Sequence, residues 1–408
     1  MNGRVPAPRL PPLWRAVNRA LAPFVPRRFD PEKLLAERMA YEGLDDLGPD
    51  ADRFKEGLAV YCESLERDAD LHPLGRVCLS WSIFRVSLQS RLRIAADLRA
   101  GARPPRAPLI VCGLPRSGTT LLHRLLELAD DAAGLPLWRL IDPIPPRRGP
   151  DRRYARITFG LNRIRSLAPV SVDAQHYMRP DLTDECGHLL RASFLGSMGW
   201  QAPAYGWLEW ALRQDGGHAY RAWAAFLSRL APPDRRLVLK DPFHAGHLDS
   251  IVSLCPEAMI VQTHRDPVEV VPSFHKLCTT MHAVVCATLD RRRSALAQTR
   301  WLEHVVARNE ATRPQVPRGR LIDVHYQALI ADPIGTVERI HGAFGLPFTG
   351  SHASRLREYL AANPQRRHGA NPYSAEMFGQ TADEIAERFR GYRERFGLAS
   401  DIRAAAGL

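Results

Sequence analysis

The stretch Leu109-Ile110-Val111-Cys112-Gly113-Leu114-Pro115-Arg116-Ser117-Gly118-Thr119-Thr120 opens on four apolar residues and closes on small and hydroxyl-bearing ones. The apolar run has the length of a buried strand, and glycine ends it. Apolar residues return at helical spacing over 121–128, so the stretch reads as strand, tight loop, helix. Such a loop aims several backbone N–H groups and a helix N-terminus at one anion. Gly113 and Gly118 allow the backbone to come close, while Thr119 and Thr120 add hydroxyl donors. The spacing is near that of a phosphate-binding loop, but Thr119 stands where a lysine would meet the β- and γ-phosphates of a triphosphate. The cation has moved into the loop as Arg116. The loop is equipped to hold a phosphate and poorly equipped to hydrolyse a triphosphate.

Three more short apolar runs share this texture: Leu237-Val238-Leu239, Met259-Ile260-Val261 and Leu321-Ile322-Asp323-Val324. Helical pattern separates them, which predicts a three-layer α/β/α fold of the phosphate-loop type around a mostly parallel sheet. Ligands then gather at the carboxyl ends of the strands. Upstream, Asp30 followed by Pro31 marks a helix start, and apolar residues keep helical spacing over 54–65 and 77–98. Pro104, Pro105 and Pro108 close this region. Residues 1–105 are therefore expected to form a helical region packing on the core, and residues 106–408 an α/β domain. A block at about 135–230, rich in Pro, Trp and Arg, reads as a helical insertion with pieces at 185–194 and 217–230.

Lys plus Arg number 56 against 44 Asp plus Glu, a formal charge of +12 that favours anionic partners. No dense basic tract with interleaved aromatics is present, so a nucleic-acid partner is not expected. The seven cysteines form no Cys-x-x-Cys pair, which argues against a zinc site or a disulfide framework. Arginines and prolines interrupt residues 10–29, leaving no signal-peptide apolar core, and residues 192–208 are too polar to span a bilayer. Cytoplasmic residence is the default expectation.

A second cluster, Thr263-His264-Arg265-Asp266-Pro267, follows the Met259 strand, with Ser273 eight residues beyond Arg265. If Arg265 ends the strand and Ser273 lies on the next helix, both can face one anion. Pairing of Arg265 with Asp266 at a helix start is the structural alternative.

The two clusters together resemble the sulfotransferase family, and the resemblance runs from about Pro108 to Leu398. It implies sulfuryl transfer from 3′-phosphoadenosine-5′-phosphosulfate (PAPS) without a metal ion. Arg116, Ser117, Gly118, Thr119 and Thr120 would grip the phosphosulfate end, and Arg265 and Ser273 the 3′-phosphate. Tyr326 matches a family tyrosine near the adenosine. Arg366-Arg367-His368-Gly369 is the candidate for the late basic loop over the cofactor, although it departs from the Arg-Lys-Gly motif of the cytosolic animal enzymes. The segment from Tyr373 to Gly379 resembles the bacterial branch.

Sulfuryl transfer needs the donor held at both ends, charge stabilised on the leaving oxygen, and the acceptor proton removed. Lys240 ends a predicted strand and resembles the family's strand-end lysine; a salt bridge to Asp241 is its structural alternative. For the base, Pro242 stands where the cytosolic enzymes carry histidine, so His244 is the first candidate and Glu185 the second, with His176 upstream of Glu185. The expected acceptor is a hydroxyl or amine of a small molecule, lipid or carbohydrate, and the sequence does not identify which. Trp200, Tyr205, Trp207, Trp210 and Trp223 could line its pocket or belong to a core. Two rivals stand: a kinase or NTPase, which needs a substitute for the missing loop lysine, and a nucleotide-binding module without catalysis.

Overall fold

Strands buried on both faces read as unbroken apolar runs, because helices cover a parallel sheet from either side. The structure, a computed structural model, describes residues 4–103, 106–196, 198–364 and 372–398. Five strands form the sheet: β1 (Leu109–Gly113), β2 (Ala132–Ala133), β3 (Arg236–Lys240), β4 (Met259–His264) and β5 (Leu321–His325). Their order is β2-β3-β1-β4-β5 and every pairing is parallel. The connection from β3 to β4 crosses β1, so the switch point lies at the carboxyl end of β1.

Helices α1 (Thr119–Leu126), α2 (Pro267–Val285), α3 (Arg291–Thr312), α4 (Tyr326–Ala331), α5 (Pro333–Phe344) and α6 (Gly350–Ala362) accompany the strands. Side chains alternate between the sheet faces. Leu109, Val111, Val238, Met259, Val261 and Val324 enter one core with Leu122 and Leu125 of α1, Val337 and Ile340 of α5 and Leu356 of α6. Each such enclosed side chain contributes roughly 1.5–3 kcal/mol. The intervening Gln262 turns to the other face, where its amide donates to Asn309 of α3 (2.9 Å) and accepts from it (3.1 Å). Helices on both faces complete the three layers expected from the apolar runs.

The chain divides into two compact units. One comprises Pro105–Gly134, Ala231–Lys276 and Gln298–Leu408 and carries the sheet. The other comprises Met1–Pro104, Leu135–Leu230 and Leu277–Ala297, so the block at 135–230 falls in the same unit as the N-terminal helices. In that second unit Asp30 caps the helix Pro31–Glu42 by accepting from Lys33 N–H (3.0 Å). The pattern at 77–98 becomes helices Pro73–Leu79 and Arg85–Ala100 joined by a π-helical turn at Ser80–Phe84. Phe54, Tyr61, Phe84, Phe194 and Trp207 form an aromatic core, and Trp207 Nε1 donates to Phe194 O at 2.9 Å. Trp200, Tyr205, Trp210 and Trp223 are buried as well. A small antiparallel sheet sets Cys286–Leu289 between Val5–Pro6 and Asp70–Leu71. All seven cysteines are free thiols.

Candidate active site

The loop after β1 is shaped by close backbone approach to β4. Gly113 has φ +139°, and a Cβ there would lie 2.3 Å from Thr263 O. Gly118 has φ +86° and begins α1, and its Cβ would meet Tyr326 Cδ2 at 2.9 Å. Between them Arg116 takes φ +65°, a left-handed conformation that costs a non-glycine residue about 1–2 kcal/mol. Such strain persists where surrounding contacts hold it. The α1 N-terminus supplies N–H groups without helical acceptors, and the dipole there favours an anion.

The family resemblance sets Ser117 among the residues around the phosphosulfate end. Ser117 is fully buried, with its Oγ 2.5 Å from Leu114 O and 2.6 Å from Thr263 Oγ1. Thr263 in turn donates to Cys112 O at 3.2 Å. This hydroxyl ties the loop to β4 and offers nothing outward. Thr119 is buried and Thr120 exposed.

Arg265 follows β4 directly, and Ser273 lies on α2, as the spacing required. Arg116 Nε donates to Ser273 Oγ at 3.1 Å. Arg265 Nη1 donates to Arg116 O at 2.9 Å, and its guanidinium stacks 4.3 Å from the Tyr326 ring centre. Arg116, Gly118, Arg265, Ser273 and Tyr326 therefore share one place. The partner of Arg265 is Glu269 rather than Asp266: its Nε donates to Glu269 Oε2 at 2.8 Å and Nη2 donates to the same oxygen. Asp266 is taken instead by Arg393, at 3.1 Å from both Nε and Nη2. A guanidinium has five N–H donors, so these contacts leave Arg265 two more for a ligand.

Lys240 ends β3, paired with Val111 of β1, and is fully buried. Asp241 then caps a 3₁₀ turn, Pro242–His247, by accepting from Phe243 N–H (2.9 Å). His244 lies in this turn, fully enclosed, and burial together with His247 pushes its pKa down to about 3. So weak and so enclosed a base is poorly matched to proton removal near neutral pH.

In the other unit Glu185 is half-buried beside the buried Asp184, whose Oδ1 accepts from Glu185 N–H at 2.7 Å. His176 Nε2 lies 3.5 Å from the same oxygen. Ligand-type atoms of the three residues fall within 4.8 Å of one another, a set able to share a proton or a cation. Arg366 and Arg367 lie outside the described residues. Pro372, just beyond them, accepts from Lys276 of α2, and Tyr373 is near enough to Arg265 to act on it electrostatically.

Behind the site, His264 contacts Tyr392 Oη (2.8 Å) and Asp323 Oδ1 (2.7 Å) and stacks 3.8 Å from Phe396. Burial alone would raise the Asp323 carboxyl, but hydrogen bonds from His264 and Arg313 outweigh it and the pKa falls to about 2. This cluster ties the C-terminal helices to the ends of β4 and β5. Of the residues that sequence reasoning missed, Glu269 was readable as an i,i+4 partner of Arg265. Thr263 and Arg393 act through tertiary contacts and left no local pattern.

A family model described as the sulfotransferase family matches residues 108–350, more than half of the chain. The chain belongs to the sulfotransferase family. This sulfotransferase is 24% identical over 315 residues to the omega-hydroxy-beta-dihydromenaquinone-9 sulfotransferase Stf3 of Mycobacterium bovis, covering 74% of this chain and 79% of that protein. The crystal structure of sulfotransferase STF1 from Mycobacterium tuberculosis is similar at TM-score 0.73 and 27% identity, over 88% of this chain and 98% of that one. Sulfotransferase STF9 from Mycobacterium avium shares the fold at TM-score 0.75 and 24% identity, over 89% and 96% of the two chains. The sulfotransferase has, among its described residues, no helix long and apolar enough to cross a membrane.

Proposed function

We propose that this sulfotransferase takes its sulfuryl group from PAPS and delivers it to a hydroxyl of a lipid-like or other small-molecule acceptor. The observation that carries the donor reading is the convergence of Arg116, on the loop after β1, with Arg265 and Ser273, after β4. A nucleotide phosphorylated at both 3′ and 5′ positions presents two anions to such a pair of grips, and Tyr326 offers a ring between them. The mycobacterial relative named for an omega-hydroxy menaquinone derivative supports a hydroxyl on an apolar acceptor.

In the reaction the acceptor oxygen attacks sulfur, the bond from sulfur to the phosphate oxygen breaks, and adenosine 3′,5′-bisphosphate departs. The α1 N-terminus and Arg116 bind the 5′ end, and Lys240 offsets charge on the leaving oxygen. The acceptor proton passes to a general base, for which His244 and Glu185 are the two candidates. A cation is not required, because every charge on the donor has a protein cation or N–H partner in this scheme.

Incubation with PAPS carrying radiolabelled sulfur and a panel of hydroxylated lipids and phenols should label an acceptor, equally with and without EDTA. With that acceptor, Glu185→Gln should lower kcat by about 10²–10⁴-fold, while His244→Asn changes it little. Absence of label in any acceptor would count against the transfer. A rate abolished by EDTA would count against metal-free chemistry, and a slow His244→Asn enzyme would return the base to His244.

A further inference from the structure

We propose that the helix Pro12–Leu21 and the surface beside it form a docking face for a bilayer leaflet rich in anionic lipid. The inference is independent of the sulfuryl-transfer reading. It starts from charge. Residues 4–29 contain six arginines, Arg4, Arg9, Arg15, Arg19, Arg27 and Arg28, and no aspartate or glutamate. All six are exposed.

Apolar exposure falls in the same place. No residue of the helix is buried. Trp14, Val17 and Leu21 form its half-covered face, at the spacing of one helical stripe. Leu13, Ala16 and Ala20 form a second stripe that faces outward, with Leu13 69% exposed. Phe24, one turn further on, is 83% exposed. Arg15 and Arg19, four residues apart, border the outward stripe.

The face continues onto the helix Arg153–Leu167 of the same unit. The Arg163 guanidinium lies 5.2 Å from the Trp14 ring centre and 4.9 Å from that of Phe159, joining the two helices. Phe159 is itself 63% exposed, and Val170 beyond the helix is exposed too. Arg147, Arg148 and Arg152 are exposed nearby in sequence, and the one acid there, Asp151, is bound by Arg153.

An outward apolar stripe bordered by arginines is the pattern of a helix lying in the membrane interface. Arginine meets anionic headgroups, and leucine, phenylalanine and valine enter the acyl boundary. A phosphate backbone would use the arginines but would leave Leu13 and Val170 in water, so a bilayer fits more of the surface.

The test is sedimentation of the full chain with phosphatidylcholine vesicles, with and without phosphatidylglycerol, at low and high salt. The wild-type protein should pellet with the anionic vesicles, release in high salt, and stay in solution with the neutral ones. Leu13→Glu/Phe24→Glu and Arg15→Glu/Arg19→Glu should each weaken partitioning at least about tenfold. All four side chains are exposed, so both variants should keep the wild-type melting temperature. Wild-type protein remaining in the supernatant with anionic vesicles would overturn the proposal, as would undiminished binding by both variants. So would ultracentrifugation in which Leu13→Glu/Phe24→Glu turns a dimer into a monomer, because a second copy would then cover the face.

Discussion

Gly113→Ala should cost on the order of 3 kcal/mol or more and abolish nucleotide binding. The alanine Cβ would stand 2.3 Å from Thr263 O and 2.6 Å from Thr263 Oγ1. The first is a backbone atom and the second a hydroxyl held by Ser117 and Cys112 O, so β1 must separate from β4 or the loop must turn away. Either movement breaks the Ser117–Thr263 contact and displaces Arg116 from Ser273. The left-handed φ of +139° adds strain of its own. For a unit of this size the loss corresponds to a fall in Tm of about 5–10 °C, read by thermal melting monitored by circular dichroism. Gly345→Ala is the matched control. It also has positive φ (+65°), but a Cβ there meets nothing within 4 Å, so strain alone should cost it about 1 kcal/mol. Equal melting temperatures for the two variants would show that the close approach does not matter.

Lys240→Met should lower kcat about 10²–10³-fold while changing donor affinity much less. Lys240 ends β3 beside the phosphate-loop strand, and in the proposed reaction its charge offsets the negative charge that develops as the sulfur–oxygen bond breaks. Methionine preserves the volume of the enclosed side chain, which keeps the effect on packing small. Initial rates with the labelled acceptor and calorimetry with adenosine 3′,5′-bisphosphate separate the two quantities. A proportional loss of binding and turnover would make Lys240 a binding residue. An unchanged kcat would leave it a structural one.

Strands β1, β3 and β4 announced themselves as apolar runs because both of their faces are buried, while the edge strand β5, interrupted by the exposed Asp323, was legible from Leu321, Ile322 and Val324. The edge strand β2, two alanines long, had no such run. The pairing of Val5 with Leu289 joins distant parts of the chain and leaves no local signal. At the site, Arg116, Gly118 and Arg265 were legible because each follows a strand end or opens a helix, where chemistry collects in this architecture, whereas Ser273, inside α2, was named from its spacing to Arg265 and Tyr326 from the family resemblance. The inward turn of the Ser117 hydroxyl was not readable, because a loop hydroxyl can donate inward as readily as outward and the position of Thr263 decides it. The enclosure of His244 was not readable either. Its titration depends on enclosure, and enclosure is a property of the packed unit. The aromatics at 200–223 carried no period that separates pocket from core.

The central claim is that two grips on successive strand ends hold one nucleotide by separate phosphates. Isothermal titration of adenosine 3′,5′-bisphosphate against adenosine 5′-monophosphate, with the wild-type protein and Arg265→Ala, tests it directly. The account predicts that the wild type prefers the bisphosphate by about 10–100-fold, the worth of one charge-assisted grip, and that Arg265→Ala erases most of that preference. Equal affinities in the wild type, or a preference that survives the loss of Arg265, would contradict it.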